Sequence, residues 1–193
     1  MTVRKSDLDR YLEPDEVVRL LACAKGRAPA FYAAAVLMVN HGLRVGEVVA
    51  LELAGVSDHG RSLRVRTLKQ RRPVTHTLEL RPAVARVVLS QVARARRARS
   101  PWLFPSPTDA QSPVSTRALQ WQFRSNARRA GLRPGLTCHS LRHTRAMQLY
   151  QVSGDRLIVS HDLRHANPRS CDAYLSVDPQ SYRRAARSVP TFT

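Results

Sequence analysis

Histidines with a spacing suited to metal binding occur at two places in the chain. His139 and His143 are four residues apart, and His161 and His165 repeat that spacing. On a helix such a pair shares one face, where two imidazoles could bind zinc. Neither pair has the glutamate of a His-Glu-x-x-His motif, and each encloses an arginine. The sequence therefore favours no metal site.

A thiol stands beside one of these histidines. Cys138 precedes His139, and a Cys–His pair can act as a nucleophile and its base. Adjacent residues of a helix point in different directions, so a buried, unreactive thiol is the better interpretation of Cys138. The three cysteines are scattered and predict no disulfide framework, which fits a reducing cytoplasm.

Lysine is rare in this arginine-rich chain. Only three of its 32 basic residues are lysines, and Lys69 falls in a turn between two predicted strands. An ammonium group can release a proton when its surroundings tune its pKa, whereas a guanidinium stays protonated. Lys69 is therefore either a surface residue without a role or a proton donor, and its type and place alone leave both open.

The net charge of +18 on 193 residues points to a polyanionic partner. The basic residues are spread along the chain, which predicts a folded basic surface and favours a nucleic acid. The longest nearly uncharged apolar stretch, 28–39, is too short to cross a bilayer, and residues 1–10 lack the apolar segment of a secretory signal. We therefore expect no membrane association and a cytoplasmic location.

Helical periodicity dominates the chain. Apolar spacing, capping residues and breakers predict helices over about 14–24, 29–40, 44–51, 82–97, 115–130, 139–152 and 155–163, with a further short helix around Tyr174. Apolar and polar residues alternate over 63–67 and 73–80, which predicts two strands joined by the turn that contains Lys69. The predicted class is α+β, mainly α-helical, with one small antiparallel β-sheet.

Six residues of this predicted domain are informative as a set. In chain order they are Arg44, Lys69, His139, Arg142, His165 and Tyr174. The segments around them read GLRVGE, HSLRHT and LRHAN, with 23 residues from the second arginine to the last histidine and nine more to the tyrosine. This order and spacing resemble the tyrosine recombinase (phage integrase) family over about residues 12–176. Within the family the sequence is most similar to the short fimbrial phase-switch recombinases.

The resemblance implies the tyrosine recombinase catalytic fold over residues 10–180. We expect no N-terminal core-binding domain. Residues 181–193 are expected to form a C-terminal tail that could dock in trans on a neighbouring protomer, with Phe192 as its apolar anchor.

The chemistry implied by the resemblance is transfer of a DNA phosphodiester to a tyrosine hydroxyl. Tyr174 would attack the phosphorus and hold the 3′ phosphate covalently. Arg44 and Arg142 would clamp the non-bridging oxygens, because guanidinium groups are planar, permanently charged and bidentate toward phosphate. His165 would add a hydrogen-bond donor to that clamp, and Glu47, one turn after Arg44, would orient an arginine rather than act as an acid. His143 would be a buried packing residue of its helix rather than a catalytic one.

Proton transfer falls to two further residues in this scheme. His139 would help to move the tyrosine proton, and Lys69 would protonate the departing 5′ oxygen. Neither a metal nor a cofactor is required, because arginine and lysine supply the positive charge. The implied partners are double-stranded DNA, further copies of the chain in a homotetramer on two paired DNA sites, and an accessory DNA-binding protein. The implied location is the nucleoid.

Two other functions stay open at this stage. The chain could be a catalytically inactive relative that binds DNA as an accessory protein or regulator. It could also be a type IB topoisomerase-like enzyme, which uses similar chemistry on a single duplex. The complete set of six residues argues for an active site-specific recombinase, and a requirement for two paired sites would exclude the topoisomerase.

Several positions near the predicted site depart from the family pattern. Arg164 stands where the family usually has a glycine before the second histidine, and Arg145 and Met147 stand where it often has an aromatic and a small polar residue. Residues 160–162, which end in Asp162, are more polar than the usual apolar approach to that histidine. A small residue at position 164 normally lets the helix end lie close to its neighbours, so we expect Arg164 to affect the placement of His165. None of the departures removes a catalytic group.

Overall fold

The computed structural model describes residues 11–57, 59–67, 74–164 and 179–193. In those ranges the helices are α1 (Pro14–Arg27), α2 (Pro29–His41), α3 (Val45–Val49), α4 (Pro82–Arg97), α5 (Thr116–Arg129), α6 (Cys138–Ser153), α7 (Arg156–Asp162) and α8 (Pro179–Ser188). Strands β1 (Ser62–Thr67) and β2 (Val74–Glu79) form an antiparallel pair. The predicted mainly helical α+β class with one small sheet is confirmed. The helix predicted around Tyr174 lies outside the described residues.

Helix α2 is the centre of the fold. Every side chain from Phe31 to Asn40 is buried, so this helix is covered by protein on all sides. Helices α1, α4 and α6 pack around it, and Phe31 meets Phe123 of α5 edge-to-face with ring centroids 6.3 Å apart. The core thus rests mainly on aliphatic side chains with a few aromatic contacts.

The start of α1 is stabilised by the carboxylate of Glu16 and the guanidinium of Arg133. Pro14 occupies the first turn, where a missing N–H costs no helical hydrogen bond. The Glu13 N–H donates to Glu16 Oε2 over 2.9 Å in a capping box. Arg133 forms an ion pair with the same carboxylate at 2.5 Å and also donates to the backbone oxygen of Tyr11. These contacts fasten α1 to the segment that precedes α6.

The two strands pair from Ser62 opposite Glu79 to Thr67 opposite Val74. Strand β1 alternates strictly, with Leu63, Val65 and Thr67 buried against the helices and the arginines between them exposed. This alternation fixes the register, because a shift by one residue would expose the apolar set. Lys69 belongs to the connection between the strands and lies outside the described residues.

The C-terminal segment packs on its own chain. The Phe192 N–H donates to Asn40 Oδ1 over 3.0 Å, and Asn40 Nδ2 donates to the Phe192 oxygen over 2.8 Å. Arg81 donates to the backbone oxygens of Val189, over 2.8 Å, and Ala186. The predicted docking of residues 181–193 in trans stays a prediction. Among the described residues, no helix combines the length and the apolar character that spanning a membrane requires.

Candidate active site

Arg44 is oriented by the carboxylate of Glu47. The residue precedes α3, and its backbone N–H donates to Glu47 Oε2 over 2.9 Å. Its guanidinium forms an ion pair with Glu47 Oε1 at 2.8 Å. The Glu47 side chain is 1 % exposed and that of Arg44 is 21 % exposed, so a buried carboxylate holds a cation whose outer face remains accessible. A guanidinium held in this way suits the binding of an anion.

Arg142 is fixed more deeply in the same region. It lies on α6, is 3 % exposed, and donates to the backbone oxygens of Gly42 and of Leu163, the latter over 2.6 Å. Burial, together with the positive charge of Arg44, lowers the pKa of Arg142 to about 10. The guanidinium therefore remains charged at neutral pH.

His139 reaches the site from the first turn of α6. Thr137 caps that helix, and its hydroxyl oxygen accepts from the His139 N–H over 3.2 Å. The imidazole meets that of His143 edge-to-face, with ring centroids 4.5 Å apart. His143 is half-buried, and the packing role predicted for it stays a prediction.

A cavity of about 600 Å³ lies between α3, α5 and the start of α6. Arg44 and Glu47 line it from α3 and the residue before it, His139 from α6, and Gln120 and Arg124 from α5. Gln120 and Arg124 are four residues apart and therefore share one face of their helix. Gln120 was not among the predicted site residues. Its spacing of four residues from Arg124 on a basic helix is the sequence pattern that could have indicated it.

The six predicted site residues divide into two groups. The structure brings Arg44 and His139 to one cavity, with Arg142 buried against the same loop. Lys69, His165 and Tyr174 lie outside the described residues. The structure thus places three members of the set together and leaves the roles of all six as predictions.

A sequence profile of the phage integrase family matches residues 10–181. The chain belongs to the phage integrase family. Tyrosine recombinase XerD of Mycobacterium tuberculosis (strain H37Rv) is 31 % identical over 192 residues, which cover 91 % of this chain and 59 % of the relative. The chain thus spans about three fifths of the length of the curated relatives it matches.

Solved structures agree with this family at the level of the fold. The crystal structure of XerA recombinase matches with a TM-score of 0.71 and 23 % identity, over 94 % of this chain and 66 % of that one. XerH recombinase bound to its difH substrate matches with a TM-score of 0.66 and 20 % identity, over 92 % of this chain and 54 % of that one. The predicted tyrosine recombinase catalytic fold is confirmed, while the similarity to the fimbrial phase-switch type stays a prediction.

Two departures from the family pattern are partners in one buried ion pair. Arg145 donates to Asp162 through Nε over 3.0 Å and through a terminal nitrogen over 2.9 Å. Tyr182 of α8 donates its hydroxyl to the same carboxylate over 2.9 Å. Burial would raise the pKa of Asp162, but the hydrogen bonds and charge of Arg145 outweigh burial and hold that pKa below its ordinary value. An unusual cation on α6 is thus compensated by an unusual anion at the end of α7.

Cys138 is buried rather than reactive, as the sequence predicts. Its side chain is 4 % exposed, and the thiol donates to the backbone oxygen of Leu119 over 3.7 Å. Burial raises the pKa of Cys138 to about 12, so the thiol stays protonated at neutral pH. A thiolate nucleophile is not available at this position.

Proposed function

We propose that the chain is the catalytic part of a site-specific DNA recombinase that cuts and rejoins DNA through a 3′-phosphotyrosine at Tyr174. The observation that carries the proposal is the arrangement around the cavity: Arg44 is oriented by buried Glu47, and His139 faces the same space. Membership of the phage integrase family supports the same reaction.

The proposed reaction conserves the number of phosphoester bonds. The Tyr174 hydroxyl oxygen forms a bond to phosphorus while the bond from phosphorus to the 5′ oxygen breaks. The tyrosine proton leaves with the help of His139, and Lys69 gives a proton to the 5′ oxygen. A second 5′ hydroxyl then attacks the phosphotyrosine and restores the phosphodiester, so no nucleotide is consumed.

Fixed positive charge is the main catalytic contribution proposed for the described residues. Negative charge accumulates on the non-bridging oxygens as the fifth bond to phosphorus forms. Arg44 and Arg142 would stabilise that charge, and both are held by protein groups before any DNA binds. His165 is assigned as a further donor in this clamp.

Double-stranded DNA is the proposed partner. The net charge of +18 supports it, and XerH, which shares the fold, is described in complex with its difH substrate. Gln120 and Arg124, which line the cavity, are of the residue types that pair with adenine and guanine edges in the major groove. The proposal also includes a homotetramer on two paired DNA sites and an accessory DNA-binding protein. It further includes docking of the C-terminal tail in trans and a nucleoid location. The family resemblance supports these four points.

Covalent trapping tests the proposal. The wild type and Tyr174→Phe are each mixed with nicked duplexes from around the gene that encodes the chain, where the nick lets the cleaved end diffuse away. We expect a protein–DNA adduct that resists SDS and is destroyed by protease, with the wild type only. Strong DNA binding without any adduct would contradict the proposal and would favour the accessory, inactive alternative.

A further inference from the structure

Arg164 is buried although it carries a charge. Its side chain is 6 % exposed, and one terminal nitrogen donates to the backbone oxygen of Asp162 over 2.9 Å. The other terminal nitrogen donates to the backbone oxygen of His41 over 3.1 Å and lies 3.8 Å from Glu47 Oε2. Its backbone φ is +53°, a conformation that favours glycine. The side chain therefore makes specific contacts that a glycine at this position cannot make.

Two guanidinium groups join the C-terminal ends of α2 and α7. Arg142 donates to the oxygens of Gly42 and Leu163, and Arg164 donates to those of His41 and Asp162. Carbonyls at the end of a helix lack partners within the helix and carry partial negative charge, so cations are favoured there. Arg164 is thus held in place by two backbone contacts that do not depend on Glu47.

Glu47 is shared between Arg164 and Arg44. Its Oε1 pairs with the guanidinium of Arg44 at 2.8 Å, while its Oε2 accepts from the Arg44 N–H and faces Arg164. Burying a carboxylate is costly unless cations and hydrogen-bond donors pair with it, and this one is 1 % exposed. Arg164 supplies part of that pairing at Oε2, while the cavity-lining guanidinium of Arg44 pairs with Oε1.

We propose that Arg164 is a positioning residue that acts through Glu47 on Arg44. Anchored by the two helix ends, it keeps the Glu47 carboxylate in place, and that carboxylate orients the Arg44 guanidinium. The consequence for cleavage rests on the proposed function, whereas the coupling between the three side chains does not.

The coupling is measured first on the free protein. In a sample labelled with ¹⁵N-arginine, the Arg44 Nε–H signal is assigned by its loss in Arg44→Lys, and its heteronuclear NOE reports how rigidly the side chain is held. We expect the NOE to fall in Arg164→Gly and in Glu47→Gln, and to fall no further when the two are combined. Arg164→Lys, which keeps the charge, should restore part of the value.

The consequence for catalysis is measured with the trapped duplex. We expect Arg164→Gly to slow adduct formation about tenfold with DNA affinity unchanged within twofold, because a misplaced catalytic group lowers the rate more than binding. In the Glu47→Gln background the same substitution should have no further effect. Arg133→Gly is the matched control, since it removes a guanidinium that pairs with Glu16, the capping carboxylate of α1, and should leave both readouts unchanged.

An unchanged Arg44 signal in Arg164→Gly would overturn the inference. Effects of Arg164→Gly and Glu47→Gln that multiply would also overturn it, because they would show that the two residues act independently. If the wild type forms no adduct at all, the proposed function fails, while the NMR comparison still decides the role of Arg164. Thermal unfolding of each variant confirms that the comparison is made between folded proteins.

Discussion

Charge compensation between single residues shapes the interior around the candidate site. Glu47 forms ion pairs with Arg44 and Arg164. Asp162 accepts hydrogen bonds from Arg145 and Tyr182. Each of these acids is almost fully buried, and burial of a charged group is costly without such partners. A substitution on one side of such a pair should therefore cost far more than the removal of both sides.

The pair between Arg145 and Asp162 offers a direct test of that asymmetry. Asp162→Leu should destabilise the protein by about 3–5 kcal/mol, because it leaves a buried guanidinium without its partner. Arg145→Phe combined with Asp162→Leu should recover most of that loss, since it replaces the ion pair with apolar packing. Urea unfolding of the wild type and the three variants, with Arg145→Phe alone as the third, measures the coupling. Equal losses in the single and double variants would contradict the account.

The same pair should make the stability sensitive to acid. The folded-state pKa of Asp162 lies below its ordinary value of 3.8, so the carboxylate stabilises the fold at pH values above about 3.8. That contribution is lost as the pH falls from there through the lower folded-state value. Stability measured between about pH 5 and pH 2 should therefore fall less steeply in the double variant than in the wild type. Parallel curves would show that Asp162 does not contribute in this way.

Contacts between residues distant in sequence account for what the residue patterns alone could not predict. Arg145 and Asp162 were each recognised as departures, but they lie on different helices, and no periodicity connects them. The partners of Arg164 include the His41 oxygen, 123 residues away. By contrast, Arg44 and Glu47 are neighbours on one helical turn, and their contact follows from local spacing.

At the scale of elements, the approach of α2 to α7 depends on Gly42. Its φ is +60°, and a Cβ atom at this position would overlap with the side chain of Leu163. Gly154, at the end of α6, has a φ of +65° but open space where its Cβ would lie. The two glycines thus share a backbone conformation and differ in their surroundings.

This difference predicts unequal costs for the same substitution. Gly154→Ala should cost about 1 kcal/mol, since only the left-handed backbone is penalised. Gly42→Ala should cost about 1–3 kcal/mol more, because its Cβ also has to displace the buried side chain of Leu163. Denaturant unfolding of both variants gives the comparison. Equal losses would mean that the contact between the helix ends is looser than the structure indicates.

Local signals predicted most elements well. Proline at the start, glycine at the end and apolar spacing set the bounds of α2, and alternation set those of β1. The short helix α3 was predicted to run to residue 51 but ends at Val49, since Ala50 forms a turn and the Leu51 oxygen accepts from the Leu103 N–H over 2.8 Å. Tertiary pairing of this kind is not encoded in the spacing of one segment.

At the scale of the whole molecule, the net charge of +18 should dominate the affinity for DNA. If six or more phosphates are contacted, binding of a duplex should weaken by at least about 10³-fold between about 50 and 200 mM salt. Fluorescence anisotropy with a labelled duplex at several salt concentrations measures this slope. A change of less than about tenfold would mean that the basic surface is not the main source of affinity.

The whole chain also carries its C-terminal segment on its own surface, where Phe192 and Asn40 exchange two hydrogen bonds across 152 residues. The sequence predicts Phe192 as an anchor for docking in trans, and the contact of Phe192 with Asn40 of its own chain was not predicted, because nothing in the local pattern marks Asn40. Docking in trans would require these bonds to open, so it would exchange one arrangement of the segment for another.

The central claim is that Tyr174 is the nucleophile of a DNA strand transfer, and mass spectrometry of the trapped adduct tests it most directly. The adduct is digested with nuclease and protease, and the modified peptide is sequenced. We expect a nucleotide joined through its 3′ phosphate to the hydroxyl oxygen of Tyr174, and no such modification on any other residue. A modification on a different residue, or a wild-type protein that binds the duplex yet yields no modified peptide, would contradict it.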